Sequence, residues 1–370
     1  MAGKAGMTGK SGVYSDRLIR EMCAAGQISA PWDLDEDQIQ PASLDLRLGD
    51  IAYRVRASFL PGRDRSVEER IADFSMHEID ITRGAVLEKS CVYIVPLRES
   101  LALPETVKAA ANAKSSTGRL DLLTRLLCDQ GCEYDRVHAG YHGPLYVEIC
   151  PRSFSVLVRT GSKLNQIRFR RGAARLSDPE LIRLHDEVVL VTHDEDIDDG
   201  IGFSVNLDRP GRHVGYQARP HSGIIDIDRT DACRVEDYWI PVVAEDRHLI
   251  LDPGSFYILS SREAVHIPLD YAAEMLPYLP VVGEFRVHYA GFFDPGFGDR
   301  STGGQGSRGV LEVRCHEVPL LLEHGQKVGR LIFERMLEAP QQPYGSHATS
   351  HYQGQGLKLS KHFRAPARAA

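Results

Sequence analysis

Residues 161–169 read GSKLNQIRF, and residues 325–333 read GQKVGRLIF. In both, a Gly-x-Lys turn leads into an alternating apolar run, which predicts one strand in each half of the chain. Working outward, the same spacing recurs. YIV at 93–95 returns as YIL at 257–259, Arg98-Glu99 as Arg262-Glu263, and Pro104 as Pro268, all 164 residues apart. At that offset Glu148 falls on Glu312, inside the apolar segment VLEV at 310–313. Four segments in one register indicate a duplicated domain.

The register breaks once. Gly140 pairs with Gly296 at an offset of 156, and the residues are regained in the Gly-rich insert STGGQGSR, 301–308. That insert reads as a mobile surface loop. The matching loss falls where the first copy carries AKSSTGRLDLLTRLL, 113–127. Between the copies, SDPELIRLHDE predicts a helix with Ser177 as N-cap and Pro179 in its first turn. The acidic run HDEDIDDG, 193–200, reads as a solvated linker. The expected organisation is a disordered tail over 1–12, an N-terminal domain over 13–194, a C-terminal domain over 195–340, and a lid or tail over 341–370.

A chain of 370 residues exceeds one ordinary core, which agrees with two domains. Its 42% hydrophobic and 26% charged content is that of a soluble globular protein. A net charge of -7 argues against a general nucleic-acid or membrane-surface binder. The N-terminal MAGKAGMTGKSG has no apolar core for a secretory signal. Seven cysteines without a CxxC pair point to reduced thiols in the cytoplasm. SLDLRLGDIAYRV, CVYIVPL, LYVEI, FSVLV, QIRF, FYILS and GVLEV read as strands. Helices are expected from Ser15 onward, over 119–127, and for a turn or two over 268–278.

One strand breaks the apolar pattern. HAGYHGPLYVEI, 138–149, sets Leu145, Val147 and Ile149 on one face and Tyr146 and Glu148 on the other. Alone, this is a sheet with one wet face. KSSTGR, 114–119, groups two cations, three hydroxyls and a glycine. It can offer a phosphate N–H groups, hydroxyls and an Arg fork, or form a plain polar turn. It lacks the Walker spacing. A hairpin would bring Arg136 and Glu148 to one pocket. The tail PYGSHATSHYQGQGLKLSKHF, 343–363, reads either as a disordered end or as a lid with Tyr344 and Tyr352 available to stack. The PCxxC of zinc deaminases, the GxSxG elbow and a strand-linked GxGxxG are all missing from the sequence. Cys128 and Cys132 by themselves make no zinc site.

Taken in order, these segments resemble the dCTP deaminase family of the trimeric dUTPase-like fold. The similar stretches are PASLDLRLGD (41–50), LALPETV (101–107), KSSTGR, DRVHAGYHGPLYVEI (135–149), and PY followed by HYQGQ (351–355). The resemblance implies a mainly β fold: two tandem dUTPase-like (β-clip, distorted jelly-roll) barrels with few short helices. It implies zinc-independent hydrolysis of dCTP to dUTP and ammonia. Without zinc, a carboxylate must take a proton from water and return it to the leaving amine. The family's base falls on Glu148. By the same matching Ser115, Arg119 and Arg136 complete the catalytic group. Lys114, Ser116 and Arg136 help hold the nucleotide and its triphosphate, Thr117 and Gly118 also bind substrate, and Tyr146 and Val147 lie along sugar and base. Tyr344, Tyr352 and Gln355 close from the tail, with His351 where a Lys is usual. His138 stands in place of the family's sugar-binding Asp. Mg²⁺ enters on the triphosphate.

The second copy keeps Asp294 and Glu312 but lacks the SSxxR loop and has Phe292 in place of the Arg. The N-terminal half is therefore read as catalytic. The C-terminal half is read as a degenerate copy that supplies the lid and an Asp294 wall, with Glu312 a relic. Expected partners are dCTP, dUTP, dTTP as an inhibitor, and other copies of the chain, a trimer first. No nucleic acid or membrane is expected. The alternatives are a bifunctional deaminase–diphosphatase and a nucleotide-binding regulator without turnover.

Overall fold

A computed structural model of the chain describes residues 10–193, 196–277, 285–288, 291–346 and 350–364. The two halves repeat each other strand for strand. Val107–Ala113 pairs antiparallel with Lys163–Arg171, from Val107↔Arg171 to Ala113↔Asn165. Tyr271–Pro277 pairs with Lys327–Arg335, from Tyr271↔Arg335 to Pro277↔Gly329. Every partner is displaced by the repeat spacing. Likewise Val92–Ala102 pairs with His142–Pro151, and Phe256–Val265 with Ser307–Cys315. Glu148 lies opposite Ile94 and Glu312 opposite Ile258. Each half is mainly β with largely antiparallel sheets, and of the two main apolar clusters one centres on the first half but takes in Trp239, Phe256 and Phe363, while the other centres on the second.

The helices form where caps and amphipathic spacing agree. Ser15 caps Asp16–Ala24, its Oγ accepting from Leu18 N at 3.4 Å, and Leu18, Ile19 and Met22 are buried. Ser177 and Glu180 form a capping box for Asp178–Glu187. A third helix, Val67–Phe74, not among the expected helices, starts at a capping box of Ser66 and Glu69.

Several expectations need correction. Residues 119–127 are not helical: Leu122–Cys128 is a strand paired with His142–Pro151, and only Ser115–Gly118 makes a turn before it. Tyr271–Pro277 is likewise a strand. Short apolar runs do not distinguish helix from strand, and ladder pairing decided both. Gly12, assigned to the tail, begins a strand paired with Arg171, while residues 1–9 lie outside the described residues. The Gly-rich insert is not a free loop, because Gln353 Nε2 donates to Thr302 Oγ1 at 3.0 Å and Gly298 N donates to Gln353 Oε1 at 2.9 Å. In the acidic run Asp196 pairs with Lys327 and Arg330, and residues 194–195 lie outside the described residues.

The halves interlock. Val156–Val158 pairs parallel with Ile225–Asp226 across the repeat. Trp239 from the second half is fully buried among Phe154, Phe256 and the tail residue Phe363, with ring centroids 5.3, 6.1 and 5.8 Å away. Each such large apolar side chain stabilises by about 1.5–3 kcal/mol on burial. In the other direction, Leu181 and Leu184 pack into the second core, so that unit starts packing before residue 195. Among the described residues, no helix is long and apolar enough to cross a membrane.

Candidate active site

A polar pocket of about 150 Å³ lies where the halves meet. The strand Val107–Ala113 delivers the chain to Lys114, which stays extended before one tight turn. Thr117 N and Gly118 N both donate to Lys114 O, at 2.8 and 2.9 Å. That turn puts Ser115, Ser116 and Arg119 on one wall, beside Asp45 and Gln166 of the first sheet. The second half supplies the facing wall: Phe292, Asp294, Val310 and Glu312. The tail closes it with Tyr344, His351, Tyr352, Gln355 and Lys361.

Arg119 fastens the tail. It is 3% exposed, and it donates from Nη1 to Lys358 O and from Nη2 to Gln355 Oε1, both at 3.0 Å. Its guanidinium stacks on Tyr352, 3.9 Å from the ring centroid. Ser360 Oγ donates to Ser116 O at 2.7 Å, which docks the tail on the same loop. Nearby His362 shares a 2.9 Å hydrogen bond with Ile227 O, and burial pushes its pKa down to about 4. It therefore stays neutral at physiological pH.

Glu312 is 5% exposed and, among the described residues, makes no hydrogen bond or ion pair. It leans on the turn so closely that a Cβ at Gly118 would lie 2.6 Å from its Oε2, so a larger residue there would push the carboxylate aside. Burial raises its pKa well above the usual carboxylate range, and the nearby Arg119 pulls it back down. The other carboxylates on the pocket wall are neutralised. Asp37 pairs with Lys163 at 2.6 Å, Asp45 with Lys114, and Asp294 with the fully buried Arg168 at 3.0 Å. Two residues past Arg119 and two past Glu312, Asp121 and Arg314 form a buried ion pair. It ties the loop to the strand carrying Glu312.

The expected site is thus divided. Lys114, Ser115, Ser116, Arg119, Asp294, Tyr344, His351, Tyr352 and Gln355 come together, with Gly118 against Glu312. Thr117 is buried behind the wall. Glu148 lies elsewhere. It is 1% exposed and accepts from Arg125 Nε at 2.9 Å and from Nη2, while Arg125 stacks on Tyr134. Tyr146 sits in a satellite apolar cluster with Val55 and Phe59, and Val147 in the main core. Arg136 and His138 line a different cavity. The physical reason is that the 114–119 loop faces the second copy and not the hairpin that follows it in sequence. Asp37, Asp45, Gln166 and Lys361 went unassigned. Asp45 stood inside PASLDLRLGD, and Lys361 is a cation in the tail.

Two tandem dUTPase-like barrels sharing one polar pocket define the class. The chain matches the model of the 2'-deoxycytidine 5'-triphosphate deaminase N-terminal domain over residues 10–173 and that of the C-terminal domain over 177–363. It is 54% identical to the crystal structure of 2'-deoxycytidine 5'-triphosphate deaminase from Agrobacterium tumefaciens, with a TM-score of 0.85 over 90% of this chain and 99% of that one. It is 33% identical over 190 residues to the "dCTP deaminase, dUMP-forming" of Halobacterium salinarum, covering 49% of this chain and 90% of that relative. For the protein of the same name from Leifsonia xyli the figures are 37% over 130 residues, 34% and 60%. This chain belongs to the dCTP deaminase family.

Proposed function

We propose that the chain hydrolyses dCTP at C4 of cytosine, releasing ammonia and dUTP, with Glu312 as general base. One observation carries this reading: Glu312 is the carboxylate on the pocket wall that has no cation partner among the described residues. Ionised Glu312 takes a proton from water as the oxygen attacks C4, then returns it to the departing amine. Arg119 favours the ionised form by charge. Ser115 and Ser116 offer hydroxyls to the water and the phosphates, and Lys114, His351 and Lys361 offer charge to the phosphates. Mg²⁺ on the triphosphate fits beside Asp45, whose Oδ1 is buried without a partner, and the ion would neutralise phosphate charge there. Ligand pockets usually hold about 300–1,000 Å³. This one is smaller, so the tail moves for the nucleotide to enter. dTTP has no amine at C4 and would occupy the same pocket as a competitor. Cys23, Cys91, Cys128, Cys132, Cys150 and Cys233 form no disulfide among the described residues, which supports a reducing, cytoplasmic setting.

The relatives' "dUMP-forming" name favours a second reading, in which dUTP is cleaved further. Asp294 would then activate water at the α-phosphate, which requires its release from Arg168. The test incubates purified chain with dCTP and Mg²⁺, resolves nucleotides by chromatography and assays ammonia. Equal dUTP and ammonia, both lost in Glu312→Gln, is the expected result. Accumulated dUMP and pyrophosphate would establish the second reading. Binding of dCTP without turnover would make the chain a regulator and end the proposal.

A further inference from the structure

A second cavity opens on the first half and shares no lining residue with the first. It holds about 650 Å³. Arg63, Lys108, Arg136, His138 and Arg170 line it, against a single carboxylate, Glu133. Arg170 is paired with Glu334 and Glu274, but the exposed cations are not balanced in this way. Among the described residues Arg63, Lys108 and Arg136 form no ion pair. Arg170 is 6% exposed; its Nε and Nη2 engage Glu334 at 2.6 and 2.8 Å, but Nη1 is buried with no partner. A guanidinium does not shed its proton at neutral pH, so that orphan donor calls for an acceptor. The charge is also particular to this copy. Lys108, Arg136, His138 and Arg170 correspond to Ala272, Phe292, Asp294 and Glu334 in the other half. A concentration of cations in a chain of net charge -7 is not a property of the surface at large.

We propose that this cavity is a second ligand site that takes the di- or triphosphate group of a small molecule. Guanidinium forks and an ammonium suit phosphate oxygens in geometry and charge. A buried chain of ions joins the two cavities. Arg170 shares Glu334 with Arg168, whose Nη1 lies 3.8 Å from it, and Arg168 holds Asp294 on the wall of the first pocket. A phosphate on Arg170 weakens its hold on Glu334 and so alters the grip on Asp294. By linkage, a ligand in either cavity changes affinity in the other.

The test is isothermal calorimetry on the full chain with tripolyphosphate and, separately, with dTTP. Three proteins are compared: wild type, Glu312→Gln, and the double variant Arg63→Ala/Lys108→Ala, whose two side chains are exposed. A binding event that persists in Glu312→Gln and weakens at least about tenfold in the double variant supports the site. Equal affinity for the two probes shows that the polyphosphate alone is read, and tighter dTTP shows a nucleotide site. Binding that is identical in wild type and the double variant overturns the proposal. So does a wild-type dimer mass that the double variant abolishes, because the cavity would then be a contact between copies.

Discussion

Glu148 and Glu312 occupy one position in two copies of a fold, each in the middle of a long strand and each nearly sealed from solvent. Across the ladder, the residue beside Glu148 is Arg125, and the residue beside Glu312 is His288. Glu148 is gripped by Arg125 through two donors. Among the described residues Glu312 has no such partner, and it abuts Gly118 of the other half. Burial raises the pKa of Glu312, with Arg119 nearby pulling it back, and such a carboxylate is poised to exchange a proton. On the proposed assignment, position in the fold does not decide the chemistry. The strand neighbour and the loop opposite do.

The comparison can be broken most directly at the two glutamates. Glu312→Gln should lower kcat for dCTP by on the order of 10²–10⁴-fold, and Glu148→Gln should leave it unchanged. A steady-state assay that reversed these effects would return the site to the first copy. Gly118→Ala comes next. Its backbone tolerates a side chain, but the new methyl would meet the Glu312 carboxylate, so kcat should fall about 10²-fold while the fold survives. In the first copy the penalty should appear in stability instead. Glu148→Gln leaves Arg125 short of an acceptor and should cost about 1–3 kcal/mol in a denaturant titration.

The smallest effect is in pH dependence. A base must be ionised, so kcat/KM should rise with pH and level off only above the raised pKa of Glu312. Stability should run the other way. The native state holds the Glu312 proton more tightly than the unfolded chain does, so its contribution is full below the unfolded pKa and is lost as pH rises through the native one. Glu312→Gln should therefore melt higher than wild type at alkaline pH. Matched melting curves at both ends of the pH range would sharpen or break the assignment.

Much of this was legible in residues. The constant offset between GSKLNQIRF and GQKVGRLIF sets both ladders, because strand register follows from a preserved period-2 pattern. KSSTGR and the tail residues Tyr352 and Gln355 announced their polarity and do meet. What stayed hidden is which copy faces which. DRVHAGYHGPLYVEI is the better match to a complete motif, yet its Glu148 turns to a strand neighbour, Arg125, that no local spacing reveals. Residues 119–127 misled for a related reason: LDLLTRLL suits a helix in isolation and a strand once a ladder is available beside it. Long-range pairing overrode local propensity in both cases.

Every wall of the first pocket, tail included, belongs to one polypeptide, and the parallel pairing of Val156–Val158 with Ile225–Asp226 stitches the halves together beside it. Where an active site is divided between separate chains, dilution takes the site apart. Here the local concentration of one wall relative to the other is set by covalent connection and is indifferent to how much protein is present. If the proposed site is the working one, the duplication has converted a question of association into one of folding.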